Sequence, residues 1–173
     1  MADKKLVLRV VIKLMSLAVV GFFLYVLLTG LFNDENKQLA GAVIDVSQIQ
    51  PGEYQVFDNG SRKILLLRRT EQQLVTIKDL SDELYDVDSS RDLPSGLSTL
   101  YRSIKPELFV AYAYDPFFGC GIEVDNKAEQ INSICSAVKY DFSGRIYKGS
   151  ASQSNLIIPE YHYIDDNTVV INP

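Results

Sequence analysis

Residues 14–32, LMSLAVVGFFLYVLLTGLF, carry no charge at all. A run of about 20 apolar residues is what a helix needs to cross a bilayer. Ahead of it lie Lys4, Lys5, Arg9 and Lys13, opposed only by Asp3. Arg9 and Lys13 can snorkel, so the helix is expected to start near Leu6. Basic residues before the span and the sequence NDEN after it place the N-terminus in the cytoplasm. The body would then lie on the far side of a bacterial inner membrane, in the periplasm. A cleaved export signal is the competing reading. Against it, the apolar core is longer than the 7–15 residues of such signals. The nearest small-residue site, Ala40-Gly41-Ala42, also lies beyond the polar stretch 33–38. No Cys follows the helix, which excludes a lipid-attachment box.

The chain therefore divides into a basic head and anchor (1–32), a tether (33–42) and a folded body (43–173). Outside the head, 13 basic residues face 21 acidic ones. This acidic surplus argues against nucleic acid as a partner, because there is no basic stripe to release counterions.

The body reads as all-β. Its 10 Tyr and 8 Phe suit strands. Residues 53–57 and 63–67 flank Asp58-Asn59-Gly60, a hairpin signal because such turns need positive φ. Asn59-Gly60-Ser61 also matches a glycosylation sequon, but the turn accounts for it. Further strands are expected at 73–77, 136–140, 145–148, 156–158, 160–164 and 168–171. Residues 108–114 form a continuous apolar run suited to a buried strand. Residues 79–92, acidic and Ser-rich, read as loop or short helix. Many short strands with frequent turns predict a small antiparallel β-sandwich or barrel behind one N-terminal transmembrane helix.

The chemistry-bearing residues are few: one histidine, His162, and two cysteines, Cys120 and Cys135. There is no Ser/His/Asp arrangement, no zinc spacing and no phosphate-cradling Gly loop, so no enzymatic site is expected. His162, in an aromatic strand, reads as a surface or half-buried residue.

Several segments resemble the Rieske iron–sulfur subunit of ubiquinol–cytochrome c reductase, over nearly the whole length. They are DVSQIQPGEYQVFDNGSRKILLLRRTEQQL from Asp45, IKPELFVAYAY from Ile104, KYDFSGRIYKG from Lys139, and NLIIPEYHYIDDNTVVI near the end. The family's first cluster loop reads Cys-Thr-His-Leu-Gly-Cys; here it is Asp115-Pro116-Phe117-Phe118-Gly119-Cys120. Its second reads Cys-Pro-Cys-His-Gly-Ser; here it is Ser133-Ile134-Cys135-Ser136-Ala137-Val138. The resemblance thus places Asp115, Phe117, Ser133 and Ser136 at the four ligand positions. It implies a Rieske-like β domain without the means to hold a cluster.

The same resemblance pairs Cys120 with Cys135 as the bridge joining the two loops. A bridge of this kind is worth on the order of 3 kcal/mol, and an oxidising compartment permits it. With no C-x-x-C spacing and no nearby Lys or His, the pair reads as structural rather than redox-active. Val138 replaces a Ser that hydrogen-bonds the cluster in the family, Tyr140 is retained, and the covering Gly-Pro-Ala-Pro loop is Gly149-Ser150-Ala151-Ser152. The head lacks the twin-Arg signal of many bacterial relatives.

No cofactor and no metal are expected. Asp115, Ser133 and Ser136 offer oxygen donors, but one carboxylate is too few for a hard-metal site. Phe117 and Phe118 admit two readings. Both form an apolar docking tip, or at least one folds inward to fill the cluster's volume. The cost of exposing paired aromatics favours the second. The function these readings imply is a non-redox accessory or assembly subunit of a membrane respiratory complex, with cytochrome bc or terminal oxidase subunits as partners. Electron transfer through non-standard ligation and an envelope binding module are the alternatives.

Overall fold

A computed structural model describes residues 2–33, 41–58, 60, 62–89 and 93–172. The chain separates into two compact units, Met1–Gly41 with Pro173, and Ala42–Asn172.

The first unit is one helix, α1 (Ala2–Asn33). Its apolar stretch Val7–Leu28 covers 22 residues. At 1.5 Å per residue that is roughly 33 Å, enough for the ~30 Å hydrocarbon core of a bilayer. Its large apolar side chains, among them Leu17, Phe22 and Phe23, are exposed. α1 runs to Asn33, and the first strand begins at Ala42. Of the expected tether, residues 34–40 lie outside the described residues, as do residues 90–92 of the expected acidic loop.

The second unit contains, among the described residues, nine strands in three antiparallel three-stranded sheets. β1 (Ala42–Asp45) pairs with β9 (Thr168–Ile171), which pairs with β8 (Tyr161–Tyr163), so the start of the domain is fastened to its end. β2 (Tyr54–Asp58), β3 (Lys63–Arg68) and β4 (Leu108–Tyr112) form the second sheet. β5 (Ile122–Asp125), β6 (Gln130–Ser133) and β7 (Lys139–Tyr140) form the third.

The apolar runs decide where the core sits. Ile64, Leu65, Leu66 and Leu67 in β3 and all of β4 are buried. A strand covered on both faces reads as a continuous hydrophobic run, not an alternating one. Val46, Ile131, Phe142, Ile146, Leu156 and Val169 complete the core from other elements. Gly60, at φ 85°, supplies the positive φ that the β2–β3 turn requires. Asn59 and Ser61, and with them the sequon, lie outside the described residues.

Residues 73–77 are not a strand. They belong to α2 (Glu71–Asp79), which starts on a capping box. The Thr70 hydroxyl accepts from Gln73 N at 3.2 Å, and Gln73 Oε1 accepts from Thr70 N at 2.9 Å. Two otherwise orphaned N–H groups are thereby satisfied, and this outweighs the β-branched Val75 and Thr76. Thr70→Ala is expected to cost about 1 kcal/mol, read as a lowered midpoint in urea unfolding.

Two other expected strands are absent as strands. Residues 145–148 make only isolated bridges, Tyr140 with Ile146 and Leu84 with Tyr147, and residues 156–158 form no strand, although Ile157 O accepts from Tyr112 N of β4 at 3.0 Å. Of residues 136–140, only Lys139 and Tyr140 join a sheet.

Buried charge ties these irregular segments together. Asp141 and Arg145, both fully buried, pair at 2.7 Å, and Arg145 also donates to the Ile77 carbonyl at the end of α2. Arg69 donates to the carbonyls of Tyr101, Pro106 and Phe142. Burial pushes Arg69 down to about 10, so it stays cationic at neutral pH.

Candidate functional site: a disulfide-linked tip

Two loops of the β domain meet. The first leaves β4 and reaches β5; the second joins β6 to β7. Cys120 and Cys135 are bridged between them, with Cα atoms 5.9 Å apart. The backbone adds a second link, because Ile134 N donates to Gly121 O at 3.0 Å. The cysteine pairing implied by the resemblance is the one the structure contains.

The first loop is shaped by Asp115, which is fully buried. Its N–H donates to Cys120 O at 2.7 Å, and its carbonyl accepts from Gly119 N at 2.8 Å. Its Oδ1 accepts from Phe117 N at 2.9 Å. Gly119 sits at φ 70°, where a residue without Cβ carries no strain. These bonds close a tight arch over Pro116, Phe117 and Phe118.

The Asp115 carboxyl also reaches outside its own loop. Oδ1 accepts from the Tyr140 hydroxyl at 3.1 Å, and Oδ2 accepts from the Ser136 hydroxyl at 3.2 Å. Tyr140 is fully buried on β7. Burial, and secondarily the Asp115 carboxyl, raise its phenol far above the ordinary value. Tyr140 is therefore a phenol donor at neutral pH.

Of the four positions singled out by the resemblance, the structure brings Asp115 and Ser136 into direct contact. Ser133 is buried at the end of β6, its N–H donating to Val138 O, and its hydroxyl has no hydrogen-bond partner among the described residues. Phe117 meets Asp115 through its backbone N–H, while its side chain is exposed. The expectation that a phenyl ring folds inward is overturned. Phe117 is 61% exposed and Phe118 47% exposed, stacked edge to face at 4.7 Å. The buried position in this loop is taken by Asp115, whose carboxyl accepts from Phe117 N, Ser136 and Tyr140.

Ile134 in the second loop, passed over in the sequence, is 66% exposed. Its only signal was an isolated apolar residue beside Cys135. Phe117, Phe118 and Ile134 thus give the tip three large exposed apolar side chains. His162 lies on the exposed side of β8, opposite Val170 in β9, in a different sheet from the tip strands. Among the described residues no group of three or more His, Cys, Asp or Glu is placed to hold a metal ion.

No family model matches the chain. It is 24% identical over 164 residues to the ubiquinol–cytochrome c reductase iron–sulfur subunit of Allochromatium vinosum, covering 87% of this chain and 79% of the relative. It is 30% identical over 135 residues to the mitochondrial cytochrome b-c1 complex subunit Rieske-3 of Nicotiana tabacum, covering 77% of this chain. The chain spans about half the length of such plant relatives, 47% in that case. A chain of a hyperthermophilic respiratory complex III shares its fold, with a TM-score of 0.54 and 20% identity over 91% of this chain and 97% of that one. The chain thus carries one apolar helix long enough to cross a membrane and a three-sheet β domain, and its sequence is similar to those of Rieske iron–sulfur subunits of cytochrome bc1 complexes.

Proposed function

We propose that this chain is a non-redox accessory or assembly subunit of a membrane respiratory complex, built on a Rieske fold that carries no cluster. The donor set carries the reading. A Rieske centre takes two Cys thiolates on one iron and two His on the other. This chain has two cysteines, and they are bonded to each other. Its one histidine lies exposed on β8. These residues do not fit such a centre. Asp115, at a position where the resemblance implies a ligand, instead engages three hydrogen-bond donors.

On this reading the chain contributes contacts and not electrons. α1 holds it in the membrane with the basic N-terminus in the cytoplasm and the β domain in the periplasm. The tip supplies a contact surface, because exposed aromatic clusters at a desolvated centre carry much interface energy. The complex is one containing cytochrome bc or terminal oxidase subunits.

The test is stoichiometry in native membranes solubilised in mild detergent. Tagged chain is expected to co-purify at a fixed ratio with cytochrome or oxidase subunits. Chain that elutes alone, with those subunits left behind, overturns the reading.

A further inference from the structure

We infer that Asp115 is the positioning residue of the tip: its buried carboxyl fixes the arch that presents Phe117 and Phe118, and ties that arch to the second loop. This rests on the reading of the tip as a contact surface. Five hydrogen bonds converge on this one residue, two through its backbone and three through its carboxyl. They engage both loops and β7. The carboxyl anchors the base of the arch to the strand through Tyr140 and to the second loop through Ser136. The Cys120–Cys135 bridge ties the far end of the arch to the second loop.

The two ties act on different parts of the tip. With the bridge intact, losing the carboxyl leaves the loops joined but frees Phe117 N, Tyr140 and Ser136 from their common acceptor. Tyr140 would then be a buried phenol without its partner, which is costly enough to drive local rearrangement. The rest of the domain is held by separate sheets. The expected consequence is local: the arch opens, the two rings lose their fixed display, and the contact surface is lost while the fold remains.

Asparagine is the informative substitution. Its carbonyl oxygen can accept from Phe117 N and Tyr140, and its NH₂ can donate to the Ser136 hydroxyl. Asp115→Asn should preserve the arch, whereas Asp115→Ala should open it.

The experiment uses the full chain in its native complex. It measures two things: the fraction retained with the partner subunits, and the rate of chymotrypsin cleavage after Phe117 and Phe118 relative to other sites in the domain. Asp115→Ala is expected to raise tip cleavage about tenfold over the other sites and to abolish retention. Asp115→Asn should stay within about twofold of wild type, and Tyr140→Phe and Ser136→Ala should each fall between, at about threefold. The intermediate pair keeps the inference testable if the alanine variant does not fold.

Wild-type cleavage in Ser136→Ala, Tyr140→Phe and Asp115→Ala overturns it. So does an increase spread evenly over the whole domain, which marks general destabilisation. Retention of partners by Phe117→Ser/Phe118→Ser instead sinks the contact-surface reading, while the cleavage pattern still decides the role of Asp115.

Discussion

Asp141→Ala is expected to destabilise the β domain by about 3–5 kcal/mol, because it leaves a fully buried guanidinium without its counter-charge. The pair is dry on both sides, with Asp141 and Arg145 at 0% exposure. Asp141 also organises the turn that follows β7, its Oδ1 accepting from Ser143 N at 2.9 Å and Arg145 N at 2.7 Å. Arg145 extends the network to α2 through the Ile77 carbonyl. One substitution therefore removes a charge partner and two backbone contacts at a junction of helix and sheet. The asymmetry is part of the expectation. Asp141→Asn keeps an acceptor for the two backbone N–H groups and should cost less. Replacing Asp141 and Arg145 together with apolar residues should also cost less than the single change. Urea unfolding of the detergent-solubilised chain measures all three. A loss under about 1 kcal/mol for Asp141→Ala would contradict the role assigned to the pair.

Removing the Cys120–Cys135 bridge is the second large effect, worth about 3 kcal/mol for a loop of 15 residues in the chain-entropy account. Much of that stabilisation acts on the unfolded chain, since the bridge restricts conformations that a reduced chain can explore. The double variant Cys120→Ala/Cys135→Ala and wild type under a dithiol reductant should therefore unfold at the same lowered midpoint. Adding reductant to the double variant should change nothing. An unshifted wild-type midpoint under reductant, with both thiols shown to be free by alkylation, would show that the bridge contributes no stability.

Much of the architecture was legible because it rests on strong local signals. An uncharged run of bilayer length, an Asn-Gly turn between apolar segments and the continuous apolar stretch of β4 each leave few alternatives. The β-branched run at 168–171 falls on β9. The misreading of α2 has a specific cause. Thr70 and Gln73 stand at capping-box spacing, and that start signal outweighs the propensity of Val75 and Thr76. The β5–β6 hairpin left a faint signal because each strand is only four residues long and its turn, residues 126–129, holds no Gly or Pro, although Ile122, Val124 and Ile131 alternate with Glu123, Asp125, Gln130 and Asn132.

The tip was half legible. The resemblance singled out Asp115 and Ser136, but their contact depends on two loops 21 residues apart folding together. The direction of Phe117 and Phe118 depends on the Asp115 arch, and a general cost for exposed aromatics gave the wrong answer. Ile134 became visible only once Cys135 was joined to Cys120.

The central claim, a Rieske fold without its cluster, is tested most directly by the iron content and reduced-state electron-spin spectrum of chain isolated from its native membrane. The account predicts no stoichiometric iron and no Rieske signal from this chain, with partner subunits present at a fixed ratio. About two irons per chain with a Rieske-type spectrum would contradict it and restore electron transfer as the function.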